Sequence, residues 1–257
     1  MQGSLRAALV AGGAFGLVAL ASVQGWLLPL DEALLGLVVP LRTCPALGMS
    51  NLASLPIAIE SVLLLTGLLV VGSGLAGGGW RAAWLGAWAL SLPLELILKV
   101  RVVHPLPANA LGITPPVCDP APAWLPPALA ALASPTGSSL LNVEGDVVQP
   151  VLGVALGHTF PSGSVLRLTF FTVLAGFWLW SRLPPARRTW ALGAITLGAA
   201  GLAGSRLVLM WHWPSDVLGG VALGIALAGV ARWGWQHTPP RVGREAGQPH
   251  LHRSWRT

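Results

Sequence analysis

Long apolar runs separated by short polar junctions dominate the chain. A helix needs about 20 apolar residues to cross the hydrocarbon core of a membrane. The sequence therefore predicts membrane-spanning helices at roughly 7–29, 52–76, 80–103, 163–183, 188–210 and 214–236. The predicted fold is all-α, a bundle of six transmembrane helices formed by residues 1–236. The polar, basic residues 237–257 are predicted to be a disordered tail.

The basic residues predict how this bundle is oriented. Cytoplasmic ends of membrane helices carry an excess of Lys and Arg. If the N-terminus is cytoplasmic, ten of the fifteen basic residues fall on that side, and so does the C-terminus. The first run is therefore expected to be a retained span, although Ala19-Leu20-Ala21 resembles a signal-peptide cleavage site. The connections 30–51, 104–162 and 211–213 then share the extracytoplasmic side.

Composition supports an integral membrane protein and argues against nucleic-acid binding. The chain is 54% hydrophobic and only 9% charged, whereas a soluble domain has about 25% charged residues. Its net charge of +6 comes from residues scattered at helix ends and in the tail, not from a basic face interleaved with aromatic residues. Cys44 and Cys118 both fall on the predicted extracytoplasmic side, either as a disulfide or as two unrelated thiols.

The densest polar cluster lies at the junction of the fifth and sixth predicted spans and includes residues at the end of one and the start of the other. It contains Arg206, His212 and Asp216. A charged side chain at mid-membrane depth costs roughly 2.5–3.5 kcal/mol, so this cluster indicates a functional site near the membrane surface. Histidine is a usable nucleophile toward phosphorus, and arginine binds phosphate oxygens in a planar fork. Pro214 suits the first position of the sixth helix, and Asp216 suits its first turn.

Two further polar segments fall on the same predicted side. A Pro-Ser-Gly turn opens the fourth span, where unpaired backbone N–H groups would bind a phosphate. Glu95 and Lys99 lie one helical turn apart in the third span. Lys99 is therefore half of an ion pair, a phosphate ligand, or both.

In chain order, these segments are the one with Glu95 and Lys99, the Pro-Ser-Gly turn, and the one with Arg206, His212 and Asp216. With the segments in that order, the chain resembles the type-2 phosphatidic acid phosphatase superfamily. The members of that family are six-span membrane enzymes acting on lipid phosphates and diphosphates, with the motifs K-x6-R-P, P-S-G-H and S-R-x5-H-x3-D. The third motif is complete here at 205–216. The resemblance implies that His212 attacks phosphorus to form a phosphohistidine, that Asp216 orients it, and that no metal or cofactor takes part. The implied phosphate ligands are Lys99, Arg206, Ser162, Gly163 and Ser164.

Two positions depart from the family motifs. Leu106 stands where the first motif has arginine, and Ser164 stands where the second has histidine. Arg167, one turn beyond Ser164 in the fourth helix, is well placed to replace the lost positive charge. Arg101 lies about 200° around the third helix from Lys99 and is expected to face elsewhere.

The histidine missing from the second motif is the family's general acid. A serine hydroxyl is too weakly acidic to replace it, and general acid catalysis is typically worth about 10²–10⁴-fold in rate. Three outcomes follow. His104 or His158 donates the proton, unless each is an ordinary exposed loop histidine; or the substrate is a diphosphate, whose leaving phosphate needs much less protonation; or the site binds phosphate without turnover.

These features favour a membrane phosphatase or phosphotransferase that cleaves a lipid phosphate or diphosphate at the extracytoplasmic face. An isoprenoid diphosphate, such as undecaprenyl diphosphate, is the favoured substrate. The alternative is a relative that binds lipid phosphate as a receptor, scaffold or transport component. A channel or transporter is a third class, in which Glu60, Glu95 and Lys99 would line a polar path. The sequence determines neither the lipid nor the oligomeric state.

Overall fold

The computed structural model describes residues 2–54, 79–102, 104, 106–113 and 158–238. The elements in this part of the chain are helices, as the predicted all-α class requires. In chain order they are α1 (Gln2–Val23), α2 (Leu28–Val38), a 3-10 helix (Val39–Leu41), α3 (Cys44–Ser54), a second 3-10 helix (Gly79–Leu90), α4 (Ser91–Arg101), α5 (Pro107–Ala110), α6 (Gly163–Arg182), α7 (Pro185–Val208) and α8 (Pro214–His237).

Among the described residues, α1, α6, α7 and α8 are long and apolar enough to cross a membrane. They correspond to the first, fourth, fifth and sixth predicted spans. The second predicted span, 52–76, lies outside the described residues apart from 52–54 at the end of α3. The predicted tail lies outside them from residue 239 onward.

The first span ends earlier than its apolar run predicted. Gly25 has a φ of 69°, and its N–H donates to the Ser22 carbonyl at 3.0 Å while that of Trp26 donates to Ala21 at 2.9 Å. This pair of hydrogen bonds is the Schellman arrangement that ends many helices. Hydrophobicity continues beyond residue 23, but the backbone turns at Gly25, so α1 ends at Val23.

The third predicted span, 80–103, is helical as far as Arg101 but is not one α-helix. Gly79–Leu90 forms a 3-10 helix, and α4 begins only at Ser91. Pro93 lies in the first turn of α4. Proline has no N–H and its ring clashes with the carbonyl four residues earlier, so α-helical hydrogen bonding cannot run continuously through this point. The α-helix that carries Glu95 and Lys99 therefore begins at Ser91, with the proline in its first turn.

The predicted connection 30–51 also contains helices. α2 begins with Pro29 in its first turn and Asp31 close behind, and both residue types favour helix starts. α3 begins at Cys44. Cys44 is disulfide-bonded, while Cys118, the other cysteine of the chain, lies outside the described residues.

α8 is the central helix of the described bundle. Half of its most apolar stretch is buried, compared with 17% for α1 and for α7. It packs against α1, α6 and the second 3-10 helix. The larger apolar core lies at these contacts and contains Ala87, Trp88, Phe170, Ala228 and Ala231.

Glycines let α8 lie directly against the beginning of α6. A Cβ on Gly220 would lie 2.6 Å from the carbonyl oxygen of Ser162, and a Cβ on Gly224 would lie 2.6 Å from that of Leu166. Small residues allow two membrane helices to approach this closely. The turn that opens α6 is therefore held against the helix that carries Asp216.

Candidate active site

The turn between α7 and α8 sets the position of His212. Met210 N–H donates to the Leu207 carbonyl at 2.9 Å, and Trp211 N–H donates to Arg206 at 3.1 Å, which is again the Schellman arrangement. Met210 occupies its left-handed position with a φ of 58°, a conformation that costs roughly 1–2 kcal/mol for a residue other than glycine. Its side chain is fully buried in a cluster with Leu35, and this burial offsets the backbone cost.

α8 starts as the sequence predicted, with Pro214 at its first position and Asp216 in its first turn. The Asp216 side chain is completely buried. Its Oδ2 accepts a hydrogen bond from the Trp213 N–H at 2.7 Å, which fixes the carboxylate at the helix start. Its carbonyl accepts from the Ser162 N–H at 3.1 Å. The Pro-Ser-Gly turn and the segment with His212 therefore meet at Asp216.

His212 is buried, with 4% of its surface exposed. Its Nδ1 donates to the Thr159 carbonyl at 3.1 Å, whereas the Asp216 Oδ2 is 3.6 Å away and too far for a hydrogen bond. A carbonyl oxygen only accepts, so Nδ1 carries the proton and Nε2 of the neutral ring keeps its lone pair. The Thr159 carbonyl is thus the hydrogen-bond acceptor of the His212 ring, and the Asp216 carboxylate lies beside the same nitrogen at ion-pair distance.

His104 is the second partner of that carboxylate. Its Nδ1 lies 2.7 Å from the Asp216 Oδ1, and its ring stacks on Trp213 with the ring centroids 5.6 Å apart. Its carbonyl accepts from the Thr159 N–H at 2.8 Å and from the Thr159 hydroxyl at 3.1 Å. Only 7% of its surface is exposed. His104 is therefore part of the site and is not an exposed loop histidine.

His158, the other histidine of the long connection, lies in a different environment. It is half-buried, and its Nδ1 is buried with no hydrogen-bond partner within the described ranges. Its neighbour Thr159 holds both His104 and His212, whereas no such contact joins the His158 ring to either of them in the described part of the chain.

A cluster of charged side chains lies at the start of α6. The predicted pair is present, with Lys99 Nζ 3.0 Å from Glu95 Oε1, and Arg167 joins it at 3.4 Å from Glu95 Oε2. The Glu95 carboxylate lies against Gly163, so close that a Cβ there would overlap it. A negative charge is favourable at a helix N-terminus. An internal carboxylate thus lies beside the helix start at which we predicted a phosphate.

The remaining predicted phosphate ligands are also buried. Arg206 has 3% of its surface exposed, and its guanidinium lies 5.0 Å from the centroid of the Trp211 ring, within cation–π range. Ser162 is fully buried, and its hydroxyl has no hydrogen-bond partner among the residues that the structure describes. Ser164 is buried in the first turn of α6. Arg101, which we expected to face elsewhere, is exposed at the end of α4.

Sequence reasoning missed Asp31. This carboxylate, 2% exposed, accepts hydrogen bonds from the Ser215 N–H at 2.8 Å and from the Ser215 hydroxyl at 2.6 Å. Burial raises the pKa of Asp31, and the two hydrogen bonds from Ser215 act in the opposite direction. α2 is thereby attached to the first turn of α8, one residue before Asp216. An acid inside the apolar run 27–35 was the available signal.

Residues 81–239, more than half of the chain, match the PAP2 superfamily. The chain therefore belongs to the PAP2 superfamily, a class of membrane phosphatases, and the resemblance seen in the motifs is confirmed at that level. All three polar segments lie within the matched residues. In the described ranges there is no group of three or more His, Cys, Asp or Glu side chains placed to hold a metal ion.

The similar proteins are lipid phosphatases by name. The chain is 37% identical over 98 residues to phosphatidylglycerophosphatase B of Escherichia coli K12 and of Shigella flexneri, which is 36% of this chain and 37% of each of those proteins. The chain thus spans little more than a third of the length of these relatives.

A solved structure has the same fold. The crystal structure of a transmembrane PAP2-type phosphatidylglycerolphosphate phosphatase from Bacillus subtilis superposes with a TM-score of 0.60. The superposition covers 88% of this chain and 94% of that one, at 18% sequence identity. With its four membrane-length helices in the described part, the chain is a multi-pass membrane protein.

Proposed function

We propose that this protein is a membrane lipid phosphatase or phosphotransferase that works through a phosphohistidine at His212. One observation carries the proposal: the His212 Nδ1–H is bound to the Thr159 carbonyl, so the lone pair of Nε2 is available to a phosphorus atom. That lone pair attacks phosphorus and the bond to the leaving oxygen breaks. Water then attacks the phosphohistidine, the N–P bond breaks, and phosphate leaves. An alcohol in place of water gives phosphotransfer.

The phosphoryl oxygens are expected to bind at the start of α6 and beside the α7–α8 turn. Lys99, Arg167 and Arg206 provide positive charge there, and the backbone of 162–164 provides N–H donors at a helix start. Two of these cations lie on the Glu95 carboxylate. Substrate phosphate must therefore displace Glu95 or bind alongside it, and the excess of positive charge favours the bound dianion.

The substrate class divides into two cases. The relatives' name, phosphatidylglycerophosphatase B, favours a glycerolipid phosphate monoester. Ser164, in place of the motif histidine, favours an isoprenoid diphosphate such as undecaprenyl diphosphate, because a departing phosphate needs less protonation than an alkoxide. If no other side chain serves as general acid, we favour the diphosphate as substrate. The rates of phosphate release from the two substrates decide between the cases.

A binding protein without turnover is the second candidate function. The observation that favours it is the Glu95 carboxylate on the two cations, which would make the site a phosphate receptor regulated by an internal anion. Such a protein would serve as a lipid-phosphate receptor, scaffold or transport component. It would bind lipid phosphate and release none.

Phosphate release separates these candidates. The purified protein is reconstituted with undecaprenyl diphosphate or with phosphatidylglycerophosphate, as wild type, His212→Ala and His237→Ala. His237 is exposed at the far end of α8, so its substitution is the matched control. We expect release by wild type and by the control, and none by His212→Ala. Release that persists in His212→Ala overturns the enzyme proposal, and binding without release from either lipid supports the receptor.

The same preparations test the covalent step. Substrate labelled in the transferred phosphoryl group should leave an acid-labile label on the wild-type chain and no label on His212→Ala. Label on another residue would contradict the assignment of His212 as nucleophile.

A further inference from the structure

The proposed chemistry lacks a proton donor in the second motif. When an alkyl phosphate is cleaved, the leaving oxygen needs a proton, and a positioned acid contributes about 10²–10⁴-fold to the rate. Ser164 is buried in the first turn of α6, and a hydroxyl is too weak an acid for this step. Another group of the site must take that role if monoesters are turned over.

The ring of His104 has the geometry of a proton donor. Its Nδ1 lies 2.7 Å from the Asp216 Oδ1, and the other oxygen of that carboxylate accepts from the Trp213 N–H. An ionised carboxylate only accepts hydrogen bonds, so Nδ1 carries a proton and Nε2 is the atom that gains and loses the second one. Stacking on Trp213 holds the ring plane. Tautomer and orientation are thus both determined, as a positioned acid requires.

Asp216 and Thr159 each lie beside both His104 and His212. Asp216 lies 2.7 Å from the Nδ1 of His104 and 3.6 Å from that of His212. Thr159 donates two hydrogen bonds to the carbonyl of His104 and accepts one from the ring of His212. The two imidazoles therefore lie against one carboxylate and one backbone segment, and in the described part of the chain neither Nε2 takes part in these contacts.

His158 does not share this arrangement. Its Nδ1 is buried without a hydrogen-bond partner in the described part of the chain, so nothing there fixes its tautomer. Of the two histidines in the long connection, only His104 is bound to the carboxylate beside the nucleophile.

The geometry points to His104 as the general acid and base of this site, in the role that a histidine at position 164 has in the family motif. The inference rests on the proposed phosphohistidine mechanism. As His212 Nε2 attacks phosphorus, His104 donates its Nε2 proton to the leaving oxygen, which departs as an alcohol. Neutral His104 then takes a proton from water as the water oxygen attacks phosphorus. The N–P bond breaks, its electron pair returns to His212, and the starting protonation of His104 is restored.

The test compares leaving groups within one preparation of each variant. Phosphatidylglycerophosphate needs protonation of an alkoxide, whereas the nitrophenolate of p-nitrophenyl phosphate leaves unprotonated. For His104→Ala we expect release from the lipid to fall about 10²–10⁴-fold, with a change of only a few-fold for the nitrophenyl ester. The alkaline limb of the pH–rate profile for the lipid should also disappear. The ratio of the two rates does not depend on how much of the variant is folded.

Three further variants make the result decisive. His104→Asn keeps an N–H donor for Asp216 but cannot protonate, so it should show the same altered ratio as His104→Ala. His158→Ala should leave the ratio as in wild type. Equal slowing of both substrates by His104→Ala, restored activity in His104→Asn, or an altered ratio in His158→Ala would each overturn the assignment. Activity on both substrates in His212→Ala would instead refute the proposed function.

Discussion

Replacing Asp31 should detach α2 from the start of α8. The buried carboxylate accepts from the Ser215 N–H at 2.8 Å and from its hydroxyl at 2.6 Å. A hydrogen bond that involves a charged group contributes about 1.5–3 kcal/mol. Asp31→Ala removes two of them and leaves both donors of Ser215 buried, so we expect a loss of about 3 kcal/mol or more in the free energy of unfolding. A change of this size is large for a single substitution.

Thermal unfolding in detergent measures this loss, and phosphate release measures its effect on the site. Ser215→Ala removes only the hydroxyl, so it should destabilise the protein less than Asp31→Ala. The double variant should lose less free energy of unfolding than the two single variants lose together, because the two residues contact each other. Glu32→Ala is the matched control: Glu32 is the next residue of α2 and is exposed, so its loss should change the unfolding free energy by about 0.5 kcal/mol or less.

The pKa of Asp31 adds a pH dependence with a defined sign. Burial raises this pKa, so the folded protein holds the proton more tightly than the unfolded chain, whose aspartates titrate at about 3.9. The resulting stabilisation is complete below that value and is lost as the pH rises through the folded pKa. The stability of wild type relative to Asp31→Asn should therefore be greatest in acid and decline toward neutral pH.

If Asp31→Ala proves no more destabilising than Glu32→Ala, the two hydrogen bonds do not hold α2 on α8.

Three other substitutions, one of them with a matched control on α7, test separate parts of the site. Glu95→Gln removes the internal anion from its two cationic partners, so inorganic phosphate should inhibit more strongly while the melting temperature falls; weaker inhibition would contradict the competition between carboxylate and phosphate. Gly220→Ala places a Cβ 2.6 Å from the Ser162 carbonyl oxygen and should reduce both stability, by about 1–3 kcal/mol, and phosphate release. Gly198→Ala, which meets open space on α7, should be neutral or stabilising by up to about 1 kcal/mol, and equal effects of the two would refute the close-packing argument. Asp216→Asn cannot accept from both of its present donors, so phosphate release should fall about 10-fold to 100-fold, the equivalent of one hydrogen bond to a charged group; undiminished release would show that the carboxylate is not needed.

The sequence predicted those parts of the fold in which a single local feature determines where a helix lies or begins. Apolar length located α6, α7 and α8, and Pro214 with Asp216 located the first turn of α8. Hydrophobicity alone misplaced the end of α1, because the apolar run continues past the left-handed turn at Gly25. It also missed the division of the third span between Leu90 and Ser91, just before Pro93, which removes a backbone hydrogen bond although the apolar pattern continues.

The sequence identified side chains of the candidate site but did not predict most of the contacts between them. The motifs identified His212 and Asp216, and the i, i+4 spacing predicted the Lys99–Glu95 pair that the structure contains. The carbonyl of Thr159 accepts the proton of His212, but every residue has a carbonyl, so no residue type reports such a contact. The pairing of His104 with Asp216 joins residues 112 positions apart. Only the packing of the helices brings them together.

The distance along the chain between the partners of Asp216 has a consequence for biosynthesis. Asp216 belongs to the last described helix. Its carboxylate binds His104, and its backbone carbonyl binds the turn that begins α6. A nascent chain that has inserted every earlier helix still lacks the group on which these segments converge. Under the proposed function, phosphate release should therefore begin only when α8 has entered the membrane, and chains in which α8 is not inserted should release none.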